Sequence, residues 1–204
     1  MQASASNPIE VESRFRVTPE AQKTILLHAG PCKQIQFTDR YFCEQLALSD
    51  KWLRMRDHAW QIKVPVKVDS SSRKGSVVYE ELVGAAALEH VSKCGFETKG
   101  MDVYACITTV RTIWDMNIPV PWGSYAMQVT ADECHSEDGF QYNIGEIEVL
   151  VQDKDEVAGA SKAIEHARRE LGLEQVDESG GKLMRYLSEK KPALYEKLRS
   201  KGLT

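Results

Sequence analysis

No CxxC pair occurs in this chain, and its five cysteines (Cys32, Cys43, Cys94, Cys106 and Cys134) are scattered and odd in number. That excludes a disulfide framework and a zinc-ribbon site, and points to reduced thiols in a cytoplasmic protein. No apolar run approaches the roughly 18 residues of a membrane helix. The opening Met1-Gln2-Ala3-Ser4-Ala5-Ser6-Asn7 is polar, without the apolar stretch of a signal peptide. No charge sign dominates: 26 Lys and Arg stand against 30 Asp and Glu, a net charge of -4. A global attraction to nucleic acid or to an anionic membrane is thereby excluded, and any anion site must be local. Repeats and low-complexity linkers are also lacking, so one domain over residues 1–204 and a monomer are expected.

What is present is a strictly alternating strand. Within Ile9-Glu10-Val11-Glu12-Ser13-Arg14-Phe15-Arg16, the residues Glu10, Glu12, Arg14 and Arg16 share one face, while Ile9, Val11 and Phe15 take the other. The device returns in Gly145-Glu146-Ile147-Glu148-Val149. Further strands are expected at 34–43, 51–56, 60–64, 76–82, 104–115, 125–132 and 140–151. Asp57-His58-Ala59 reads as a hairpin turn, residues 69–75 as a polar loop and 133–139 as a connecting turn. Helices are expected after the Thr18-Pro19 cap up to Gly30-Pro31, over 85–93, through Ala160–Leu171, around Leu183–Leu187 and from Pro192. The fold class that follows is mainly β: an eight-stranded antiparallel barrel with helices packed outside.

Each strand carries charge on one face and apolar residues on the other. Trp52, Arg54 and Arg56 back onto Leu53 and Met55, and Gln61 and Lys63 onto Ile62 and Val64. Glu81, Arg111, Gln128, Asp132, Glu146 and Glu148 extend the charged face. Antiparallel sheets often turn such a face to solvent. Here the helices need an apolar wall to pack on, which favours charge inside. An interior with both guanidinium and carboxylate sectors suits a polyanion accompanied by a divalent metal. Guanidiniums clamp phosphate oxygens, and carboxylates hold Mg²⁺ or Mn²⁺.

These motifs resemble the CYTH superfamily, the triphosphate tunnel metalloenzymes. The likeness rests on Glu10-Val11-Glu12-Ser13-Arg14, Trp52-Leu53-Arg54-Met55-Arg56, Lys63, Tyr79-Glu80-Glu81-Leu82, Arg111, Asp132, Gly145-Glu146-Ile147-Glu148 and Gly181-Lys182-Leu183. Asp39-Arg40-Tyr41-Phe42, Trp52 and the Lys182 helix are similar to the animal thiamine triphosphatase branch. The resemblance implies a tunnel that hydrolyses thiamine triphosphate with Mg²⁺. Arg14, Arg54, Arg56, Arg111 and Lys182 would then bind phosphate, and Glu10, Glu12, Glu81, Asp132, Glu146 and Glu148 the metal. Lys63 would be a general base, its pKa lowered by cationic neighbours and Tyr41. Arg14 departs from the family, which has lysine there. Trp52 and Trp60 fit core aromatics, and Trp52 equally fits stacking on a thiamine ring. A tripolyphosphatase, a nucleoside triphosphatase or cyclase, and a non-catalytic polyphosphate-binding barrel stand as alternatives.

Overall fold

The computed structural model describes residues 7–69, 76–176 and 181–203. Eight strands close into a ring: β1 (Ile9–Phe15), β2 (Lys33–Phe42), β3 (Trp52–Arg56), β4 (Ala59–Pro65), β5 (Val77–Val83), β6 (Val103–Val120), β7 (Gly123–His135) and β8 (Gln141–Val151). Their order around the barrel is β1-β5-β4-β3-β2-β6-β7-β8, and β8 pairs back with β1, every pairing antiparallel. The β3–β4 hairpin is tighter than the expected three-residue turn. Arg56 pairs with Ala59, and Asp57 and His58 both take positive φ, as a primed two-residue turn requires.

The β6–β7 hairpin runs further than the sequence suggests. Pro119 weakens the case for a strand there, yet β6 continues to Val120. β2 pairs with β6 only as far as Ile113, so among the described residues the outer part of β6 has β7 as its one strand neighbour. A proline is tolerated on such an edge. The expected polar loop lies, apart from Asp69, outside the described residues.

Among the described residues six α-helices complete the fold: α1 (Pro19–Ala29), α2 (Glu44–Ala47), α3 (Ala85–Lys93), α4 (Val157–Glu170), α5 (Lys182–Lys190) and α6 (Pro192–Arg199). Thr18 caps α1 by accepting a hydrogen bond from the Ala21 amide at 3.1 Å. Helices α1 and α4 cover outward residues of β1 and β8, with Val11, Phe15 and Val149 meeting Ile25, Ala160 and Ile164 in one core. Helix α3 covers Leu53, Ile62 and Leu82. The final pair, α5 and α6, sits differently. Its Leu183, Met184, Leu187 and Leu198 pack with Tyr41, Ala105 and Ile107, which share the inward face of the ring. That pair therefore covers part of the interior, and Lys182 enters at its start. No helix among the described residues is long and apolar enough to cross a membrane.

Candidate active site

Antiparallel register carries the charged face around the ring. Residues directly opposite share a side, so Glu10 stands with Tyr79, Lys63 with Glu81, Arg54 with Tyr41, and Arg56 with Asp39. The series continues with Arg111 beside Asp132, Glu146 beside Arg14, and Glu148 beside Glu12. These side chains surround an interior cavity of about 490 Å³. All of the expected site residues line it except Asp132. Asp132 is buried, and its two oxygens accept from Arg111 Nε at 2.6 Å and Nη2 at 2.7 Å. In this arrangement it orients Arg111 and stands behind it, beside the cavity and not on its wall.

The basic groups are all tied to carboxylates. Arg54 donates from Nε to Gln61 Oε1 at 2.7 Å and from Nη2 to Glu81 Oε1 at 2.6 Å. Arg56 donates from Nε and Nη2 to the two oxygens of Asp39 at 2.8 and 3.0 Å. Lys182 Nζ lies 2.9 Å from Asp39 Oδ2 and donates to Thr109 Oγ1 at 3.2 Å. Arg111 reaches Glu146 Oε2 at 3.0 Å, and Arg14 reaches Glu12 Oε1 at 2.5 Å. Gly181 leaves room for Arg14, since a Cβ there would stand 3.1 Å from Arg14 Cζ.

Lys63 stands among carboxylates as well as cations. Its Nζ lies 2.5 Å from Glu10 Oε2 and 3.0 Å from Glu12 Oε2. Burial alone would lower its pKa, but Glu10, Glu12 and Glu81 outweigh burial and hold it above the ordinary lysine value. Tyr41 does not pair with it: no hydrogen bond joins the two among the described residues. Tyr41 instead packs against Tyr104, and burial and Asp39 push its phenol up. In this arrangement the carboxylates favour the ammonium form of Lys63.

Glutamates of β1 and β8 face one another with too much negative charge. Burial and the Glu10 carboxylate push Glu148 up to about 9, so it keeps its proton at neutral pH and shares it with Glu10. Burial opposes ionisation of Glu146, but Arg111 and Arg14 prevail and hold it down at about 2. Among the described residues no three ligating side chains stand at metal-holding spacing. The donor set nevertheless fits a hard divalent cation: Glu10, Glu12, Glu146 and Glu148 are hard oxygen ligands, and the proton on Glu148 occupies a place that such a cation can take.

Several residues at the site are given no role by the sequence pattern. Asp39 and Phe37 alternate with Tyr41 on β2 and face inward, as the same period-2 rule could have shown. Asp50 and Tyr79 join Trp52 in a closed triangle. Trp52 Nε1 donates to Asp50 Oδ1 at 3.1 Å and to Tyr79 Oη at 3.2 Å, and Tyr79 Oη donates to Asp50 Oδ1 at 2.7 Å. The indole is thus pinned in the cavity wall beside a carboxylate.

Comparison with known proteins gives a consistent picture. A family model described as the CYTH domain matches residues 8–179. Proteins named thiamine-triphosphatase from Macaca fascicularis and Homo sapiens are each 25% identical over 211 residues, covering 95% of this chain and 90% of theirs. The PH1819 protein of Pyrococcus horikoshii superposes with a TM-score of 0.61 at 22% identity, over 89% of this chain and 99% of its own. A conserved hypothetical protein from Pyrococcus furiosus follows at a TM-score of 0.50 and 17% identity, over 81% and 91%. The two structures speak to the fold alone.

Proposed function

The chain belongs to the CYTH domain family, and on that premise we propose that it hydrolyses the terminal phosphoanhydride of thiamine triphosphate, giving thiamine diphosphate and phosphate. The observation that carries the reading is the convergence of Arg14, Arg54, Arg56, Lys63, Arg111 and Lys182 on one cavity whose walls also hold glutamates. Six cations exceed what a single phosphate needs and match a linear triphosphate. The named relatives support the choice of thiamine. So does the fixed indole of Trp52 beside Asp50, which suits a cationic ring.

Substrate binding exchanges one set of ion pairs for another. Each cation turns from its carboxylate to a phosphate oxygen, which avoids leaving it buried and unpaired. Glu10, Glu12, Glu146 and Glu148, with Glu81, are the residues that would hold Mg²⁺ or Mn²⁺. A bound divalent ion supplies charge neutralisation at the phosphate oxygens. Water adds to the terminal phosphorus and the bridging P–O bond breaks toward the diphosphate. The proton of the water passes to a carboxylate of the acidic wall. Lys63, an ammonium, hydrogen-bonds the leaving oxygen. The reading assigns a cytoplasmic monomer with a small-molecule substrate and no nucleic-acid partner.

Phosphate release from thiamine triphosphate, tripolyphosphate and ATP, each with Mg²⁺, Mn²⁺ or EDTA, tests it. Thiamine triphosphate should be turned over fastest, and EDTA should abolish turnover. Release from none of the three would overturn hydrolysis. A clear preference for tripolyphosphate would overturn the thiamine assignment, and full activity in EDTA the metal assignment.

A further inference from the structure

Phe37 is a buried, inward-facing residue of β2 with no hydrogen-bonding side-chain group to offer a phosphate or a metal. Three cations stand around its ring. Arg56 Cζ lies 3.9 Å from the ring centroid, Lys182 Nζ 4.8 Å and Arg111 Cζ 5.5 Å. They arrive from β3, from the start of α5 and from β6. One phenyl ring therefore underlies half of the basic sector.

We infer that Phe37 is a positioning residue that seats Arg56, Lys182 and Arg111 for a polyphosphate, an inference that rests on the phosphate-binding reading of this cavity. Cations gathered in a buried space repel one another and need compensation. A carboxylate compensates them but occupies the N–H groups that a phosphate must receive. Asp39 does this to Arg56 Nε and Nη2. The face of an aromatic ring attracts a cation through its quadrupole and leaves the in-plane N–H donors available. Arg56 Nη1 has no partner among the described residues and stays ready to donate. A leucine at this position would fill similar space and offer no such attraction.

The test uses titration calorimetry with tripolyphosphate as the probe, thermal melting, and replacement of Phe37 by 3,4,5-trifluorophenylalanine. Fluorination keeps the shape of the ring and drains its quadrupole. Affinity should fall roughly 3- to 30-fold, the range of a desolvated cation–π contact, with unfolding still cooperative and the melting midpoint lowered. A double-mutant cycle adds a second measurement: Arg56→Met should cost less affinity in the Phe37→Leu background than in the unsubstituted protein. Equal affinity for the fluorinated protein, or an equal cost of Arg56→Met in both backgrounds, would overturn the seat while leaving the phosphate reading standing. Failure of the unsubstituted protein to bind tripolyphosphate would overturn the phosphate reading and the seat with it.

Discussion

Lys63 Nζ lies 2.5 Å from Glu10 Oε2, closer than any other carboxylate contact this lysine makes. The pairing joins β4 to β1, strands that are not neighbours in the ring but are separated by β5. It favours the cationic form of the lysine, with its pKa raised once Glu10, Glu12 and Glu81 outweigh burial. Lys63→Arg should therefore keep turnover to within about tenfold, because charge and donors remain. Lys63→Met should weaken tripolyphosphate binding by about tenfold to over a hundredfold, the loss of one charge-assisted contact. Steady-state kinetics and calorimetry check both. If Lys63→Arg abolishes turnover while binding survives, the lysine is the base after all.

The proton between Glu10 and Glu148 gives a pH prediction. A carboxyl whose folded pKa is raised holds more protons folded than unfolded, so its contribution to stability is lost as pH rises. For Glu148 the window runs from the ordinary glutamate value up to about 9. The metal-free protein should melt at progressively lower temperature across that window, and Glu148→Gln should flatten the trend. Binding of Mg²⁺ should also release a proton at pH 7, visible as a calorimetric heat that changes with the ionisation enthalpy of the buffer. No proton release would remove Glu148 from the ligand set.

Glu146 and Asp39 carry the opposite sign. Their folded pKa values are lowered, Glu146 to about 2 by Arg111 and Arg14 against its burial, so their contribution is present at neutral pH and lost in acid. Acid titration followed by circular dichroism should show stability declining below the ordinary carboxylate range. Glu146→Gln should blunt that decline. An unchanged acid limb in this variant would mean that Glu146 does not ionise as its ion pairs imply.

Much of this arrangement is legible in strand alternation. The inward set Glu10, Glu12 and Arg14, the pair Arg54 and Arg56, and the pair Glu146 and Glu148 follow from period 2 alone. Depth along a strand does not follow: Asp132 has the right face but sits behind Arg111, outside the cavity. Nor does the protonation of Lys63, which depends on which strands close the ring. Phe37 was invisible for another reason, since an aromatic on an alternating strand resembles ordinary core until its cationic neighbours arrive from distant segments.

Gly145 marks where the outer, apolar face of β8 tolerates no side chain. It stands opposite Phe15 on the β1–β8 ladder, and a Cβ there would fall 2.2 Å from Phe15 Cζ. Phe15 is buried in the core beneath α1 and α4 and has nowhere to retreat. Gly145→Ala should cost about 1–3 kcal/mol by overpacking, measured by urea unfolding. Phe15→Leu in the same chain should recover part of it. Unaltered stability of Gly145→Ala would show that the strands can part there without penalty.

On the proposed function, the triangle of Trp52, Tyr79 and Asp50 would set what the protein prefers at the organic end of a thiamine triphosphate. Trp52 has its one N–H committed to Asp50 and Tyr79, so its indole presents a fixed face to the cavity. Burial, reinforced by Asp50, holds the Tyr79 phenol above its ordinary value, so it remains a donor throughout the working range. A thiazolium ring would gain from the indole face and from the nearby carboxylate, and bare tripolyphosphate would gain nothing. Trp52→Leu should then lower kcat/KM for thiamine triphosphate by about twofold to 30-fold, the span of cation–π contacts, and leave tripolyphosphate hydrolysis nearly unchanged. Asp50→Asn should act in the same direction but less strongly, by loosening the indole and removing the charge. The ratio of the two substrates in parallel assays is the deciding quantity, because a general loss of folding lowers both together. If Trp52→Leu leaves that ratio where it was, the indole is only part of the wall, and selection for thiamine has to come from elsewhere in the cavity.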